Sequence, residues 1–130
     1  MRRILIITGV SLVFILICSV ILIRVSINRG VKERISIAQE KYQGTPEDAL
    51  IAYLSDTTNT PQNRTDIAIW TLGQMQSQKA LPILKELYRD DPEGKTCHDR
   101  HDSVLCQYGI YKAIRAIESN WWFLSGSQRH

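Results

Sequence analysis

LGQMQSQKALPILKEL, Leu72 to Leu87, is the stretch on which the fold of this chain turns. Gly73 lets two helix backbones approach closely, and Pro82 falls in a first helical turn, where its missing N–H costs little. Upstream, Arg64 to Met75 (RTDIAIWTLGQM) carries Ile67, Ala68, Leu72 and Met75 on a broad apolar face flanked by Trp70. Downstream, Lys79 to Arg89 places Leu81, Leu84, Leu87 and Tyr88 at helical spacing. The stretch therefore reads as the end of one helix, a short turn and the start of another.

Working outward, the rest of the chain beyond residue 30 follows the same grammar. Asn28–Arg29–Gly30 reads as a break, because Gly30 is a poor helix-interior residue. From Val31, apolar residues recur at Ile35, Ala38 and Tyr42, the stripe of an amphipathic helix. Gly44 ends it. Thr45–Pro46–Glu47–Asp48 starts the next helix, with a capping hydroxyl, a proline at the first position and two acids on the positive end. Its body is Ala49 to Leu54, and Ser55 to Asn63 reads as a loop that includes Pro61. Asp90 to Asp102 is a charged, turn-rich loop. A last helix is expected from Val104 to about Ser119, with Leu105, Tyr108, Tyr111 or Ile110, Ile114 and Ile117 on its apolar face. No stretch alternates as a half-buried strand does, so the expected class is all-α.

One helix–loop–helix unit recurs. A shift of 31 residues superimposes Ala49–Leu50 on Ala80–Leu81 and Tyr53 on Leu84, and a shift of 41 superimposes Ile69 on Ile110 and Trp70 on Tyr111. Leu72, Gly73 and Met75, followed by Ala80, Leu81, Pro82, Leu84 and Leu87, resemble a HEAT-type repeat of the short kind also grouped as phycobilisome-lyase-like. The resemblance implies a short α-solenoid of about two repeats over 46–120, preceded by one helix, and a non-catalytic protein–protein interaction or scaffold role. Two repeats leave end faces uncovered, which calls for a partner or a second copy of the chain.

Ile4 to Ile23 (ILIITGVSLVFILICSVILI) carries no charge over twenty residues, about 30 Å as a helix and the hydrocarbon thickness of a bilayer. A cleaved signal peptide fits less well, because its core is usually ~7–15 residues and Ser19–Val20–Ile21 is no small-residue cleavage site. The expected organisation is a transmembrane anchor over 1–27, an amphipathic helix and linker over 28–45, the helical domain over 46–120 and an aromatic tail over 121–130. The net charge of +3 belongs to the anchor. Arg2, Arg3 and Arg24 lie in its 27 residues with no acid, which leaves 13 of the 16 basic residues to face 13 acids over the rest of the chain. A neutral domain lacks the basic stripe that nucleic-acid binding requires. The expected partners are membrane lipid along residues 4–23 and a protein or membrane complex.

The one dense chemical constellation is Cys97, His98, His101 and Cys106. A Cys97–Cys106 disulfide would pin the loop to the following helix and fits an oxidising compartment. With the short basic N-terminal tail, it favours placing the domain outside the cell membrane. The alternative is a metal- or redox-responsive loop using all four residues, although adjacent Cys97 and His98 compete for geometry and Cys106 is expected inside the helix. No nucleophile–base pair, phosphate loop or calcium loop stands out, so neither a catalytic activity nor a cofactor is expected. Trp121, Trp122 and Phe123 are read as an end cap or a partner-binding surface.

Overall fold

A computed structural model describes the backbone of residues 2–119 and the side chains of residues 8–119. Among the described residues every regular element is helical, as the patterning requires. α1 (Arg2–Lys41) is a single helix. The break expected at Gly30 does not occur. One interior glycine costs only about 1 kcal/mol relative to alanine. A left-handed residue or a proline would favour a stop, and residues 28–30 supply neither.

Contacts divide the chain into two units, Met1–Lys32 and Glu33–His130. The first consists of α1 alone. An 18-residue window in it has a mean hydropathy of 2.7 and no buried residue, so the helix is long and apolar enough to cross a membrane. Phe14 and Leu22 are 67% and 69% exposed. Ser19 interrupts the apolar run at little cost, because its hydroxyl donates to the Ile15 carbonyl one turn back at 2.9 Å.

The second unit begins with the last turns of α1, which bury Ala38 and pack Ile35 and Tyr42 on the core, the stripe expected from spacing. α2 (Pro46–Ser55) starts at Thr45, whose side chain accepts from the Asp48 N–H at 3.2 Å. The following helix begins at Pro61, three residues before the expected Arg64. Thr60 caps it by accepting from Asn63 N–H at 3.2 Å, the same Thr-Pro signal that opens α2. α3 (Pro61–Asn63), a π-helical turn (Arg64–Ile69) and α4 (Trp70–Gln74) run on as one helical path. α2 packs along it.

The turn after α4 is a Schellman motif. Gln76 adopts φ 51°, its N–H reaches the Gly73 carbonyl at 3.2 Å, and the Ser77 N–H reaches Leu72 at 3.1 Å. Ser77 then caps a 3₁₀ turn (Gln78–Ala80) that leads into α5 (Leu81–Leu87), with Pro82 in its first turn as expected. α6 (Gln107–Glu118) packs on both α4 and α5. It starts three residues later than Val104, and its buried face carries Ile110, Ala113, Ile114 and Ile117. Tyr108, expected in the core, lies two residues and so about half a turn from buried Ile110 and is exposed, with the Lys112 ammonium over its ring at 5.1 Å.

Small residues let these helices approach. A Cβ added at Gly73 would lie 3.0 Å from the Ala113 Cα, and one at Gly109 would lie 3.0 Å from the Thr65 methyl. Gly73→Val should therefore force α4 and α6 apart and cost about 1–3 kcal/mol, read as a lowered melting temperature by circular dichroism. An unchanged melting temperature would contradict the close helix approach.

Candidate functional site

The loop between α5 and α6 is built around Asp91. Its carboxylate accepts from the Lys95 N–H at 3.0 Å, the Thr96 N–H at 2.8 Å and the Thr96 hydroxyl at 2.7 Å. These bonds, those from Thr96 first, hold the Asp91 carboxyl below its ordinary value. Gly94 turns the chain at φ +69°, where any Cβ would sit 2.8 Å from that of Tyr108. That close approach requires glycine. Further turns follow, with Cys97 N–H on the Gly94 carbonyl at 3.2 Å and Arg100 N–H on the Cys97 carbonyl at 3.1 Å.

Cys97 and Cys106 meet at disulfide distance, Cα to Cα 5.0 Å, as expected. Both are buried, and the Cys97 sulfur lies 3.3 Å from the Gly94 carbonyl. Cys106 is not inside the helix. It is the extended residue just before α6, with φ −70° and ψ 112°. The reason lies next door: the Gln107 side chain accepts from the Arg89 N–H at 2.7 Å and donates to the Leu87 carbonyl at 3.4 Å. That anchorage fixes where α6 begins.

The four proposed metal ligands do not all converge. Cys97, His101 and Cys106 place their ligand atoms within 4.8 Å of one another. His98 stays out, its side chain 84% exposed and its Nε2 3.5 Å from Asp99. Asp99 itself adopts φ 58°, so the chain doubles back between the two histidines and only His101 returns to the sulfurs. Trp121, Trp122 and Phe123 lie outside the described residues.

A second polar cluster, not anticipated from sequence, ties the end of α1 to the α2–α3 connection. Asn59, 8% exposed, donates to the Tyr53 carbonyl at 2.9 Å and the Tyr42 hydroxyl at 3.0 Å, and accepts from Lys41 at 2.6 Å. Tyr42 donates to Asp56 at 2.5 Å, and Lys41 lies 3.4 Å from the same carboxylate. Lys41 also sits 5.4 and 5.9 Å from the ring centres of Tyr42 and Tyr53. Nearby, the Arg34 guanidinium stacks 4.4 Å from the centre of Trp70 and donates to the Asp66 carbonyl at 2.8 Å. Ser55 to Asn63 resembled only a polar loop, but Asp56 followed by Thr58 was a usable signal, because Asp56 accepts from the Thr58 N–H at 2.8 Å as an Asx turn.

The Tyr42 hydroxyl, then Thr58, hold the Asp56 carboxyl well below the usual carboxylate range. With the folded-state value depressed, the unfolded chain takes up the proton first as pH falls. The contribution of Asp56 is thus complete above its ordinary value of about 3.9 and is lost as pH falls through the folded-state value. Thermal unfolding followed from pH 7 to pH 2 should show an acid-side loss that Asp56→Asn flattens while lowering stability at neutral pH. Superimposable acid slopes for the two proteins would refute this role.

No protein-family model, curated protein or solved structure matches this chain.

Proposed function

We propose that this protein is a single-span membrane protein whose helical unit serves as a non-catalytic protein–protein interaction module on the outer face of the cell membrane. The observation that carries the reading is the uncovered apolar length of α1, which water does not tolerate and a bilayer does. A fold of HEAT-like character accounts for the unit beyond it. Most positions equivalent under the repeat share the same burial: Ala49 with Ala80, Tyr53 with Leu84 and Ile69 with Ile110 are all buried, whereas Leu50 is buried and Leu81 only partly so. Trp70 and Tyr111, also equivalent, are both half-buried. α2 packs on the 61–74 helix much as α5 packs on α6.

A structural rather than catalytic use of the polar groups supports the interaction role. The carboxyl groups held below their ordinary pKa are engaged in structural contacts: Asp48 with Lys79 and the Thr45 cap, Asp56 with Tyr42, and Asp91 with Thr96. The Cys97–Cys106 pair suits an oxidising compartment. With 13 charges of each sign beyond residue 27, binding rests on shape and apolar contact.

Alkaline carbonate extraction of native membranes should leave the full chain in the pellet, and Leu16→Arg at the centre of the span should release it. Protease added to intact cells should digest the helical unit. Recovery of the wild-type chain in the soluble fraction would overturn the anchor, and protection of the unit until lysis would overturn the orientation. Partners cross-linked in native membranes should be retained from low to moderate salt, because little counterion release accompanies binding by a neutral surface.

A further inference from the structure

A disulfide and a metal centre draw on the same two sulfur atoms here, and the loop that holds them returns a third ligand to the same point. The sulfurs of Cys97 and Cys106 and a ring nitrogen of His101 lie within 4.8 Å of one another. Cys97 and Cys106 are 2% and 7% exposed, whereas His101 lies on the surface, so the group is closed on the sulfur side and open on the imidazole side. Two thiolates sharing a tetrahedral zinc at ~2.3 Å stand about 3.8 Å apart, and an imidazole nitrogen bound at ~2.0–2.1 Å stands at a similar distance from each. The three ligand atoms already lie near those separations, and once the sulfur–sulfur bond is reduced the two Cys side chains are free to rotate toward them.

We propose that reduction of the Cys97–Cys106 bond converts this loop into a zinc site with Cys97, His101 and Cys106 as ligands and a fourth position facing solvent. The ligands stay in place after reduction because the loop is framed by other bonds. Asp91 gathers Lys95 and Thr96, Gly94 and Cys97 pair through the backbone, and the Ser103 and Val104 N–H groups both reach the Arg100 carbonyl at 3.0 and 3.1 Å. On the far side, Cys106 accepts from the Ile110 N–H at 3.2 Å, and Gln107 ties the helix start to Arg89. His98 has no part, since it points to solvent beside Asp99.

The exchange balances. An external dithiol gives two electrons and two protons to the sulfur–sulfur bond and itself becomes a disulfide. Each freed thiol then loses its proton as its sulfur binds the metal, giving a neutral centre of one zinc ion, two thiolates and neutral His101 with two protons released. An external disulfide takes the two electrons back, and two protons from solvent, to become a dithiol, which reforms the Cys97–Cys106 bond and expels the zinc. Metal and disulfide are alternative states of one loop, so bound zinc reports a reducing environment.

The test uses the full chain in detergent micelles, oxidised or reduced with dithiothreitol, incubated with Zn²⁺ and desalted, with zinc and free thiols counted together. One zinc per reduced chain and none per oxidised chain are expected. His101→Ala should weaken zinc binding by tenfold or more, at least the ~10–100-fold cost of losing a mere outer-shell partner. His98→Ala should leave binding unchanged. Both histidines are on the surface, so these variants decide the matter even if Cys97→Ser fails to fold. Absence of zinc from the reduced wild type, equal retention by the oxidised chain, or equal losses in the two histidine variants would each overturn the proposal.

Discussion

Short helices have more end than middle, and satisfying their last carbonyls is the constraint on which the rest of this helical unit depends. Every helix leaves about four carbonyls without an internal partner. In α2, α5 and α6 some of those groups are met by side chains borrowed from elsewhere in the chain. Asn59 and Arg64 take the Tyr53 and Leu54 carbonyls at the end of α2. Gln107 takes Leu87 at the end of α5. Gln76 and Gln78 take Ala116 and Ile117 at the end of α6, at 3.1 and 3.2 Å. Each bond contributes only about 1 kcal/mol net, but leaving such a group buried and unpaired costs more. The caps therefore set where helices stop and which neighbours they must have.

The turn between α4 and α5 shows how one segment serves several of these needs. Its left-handed Gln76 closes α4, Ser77 caps the next turn and contacts Glu47, and Lys79 pairs with Asp48 at the start of α2. From the same turn Gln76 and Gln78 reach the far end of α6, while Gly73 and Ala113 let α4 and α6 come close enough for that reach. In a helix pair joined this way the connection is also the cap.

Much of this was legible from residue type alone. Thr45–Pro46, Pro82 and the Ile35–Ala38–Tyr42 stripe act as read, because caps, prolines and helical periodicity are local physics. Thr60–Pro61 carried the same signal as Thr45–Pro46 and was passed over only because polar residues surround it. The extent of α1 was misread at Gly30, where a modest local penalty does not end a helix whose flanking residues favour it. Spacing places Leu105 on the helix face, but the start of α6 is set by Gln107 reaching back to Leu87 and Arg89, a contact eighteen to twenty residues away in sequence.

The sequence by itself determined the all-helical class, the apolar length of the first helix and the neutrality of everything beyond it. These follow from composition and short-range spacing, which act before any tertiary contact forms. Only the tertiary structure decided that Cys97 meets Cys106, which of two neighbouring histidines joins the sulfurs, where α6 begins and which amides cap which helix. Each depends on a left-handed residue or a long-range hydrogen bond that reverses the chain locally. A one-residue change in such a turn redirects a side chain completely while leaving composition and periodicity unaltered.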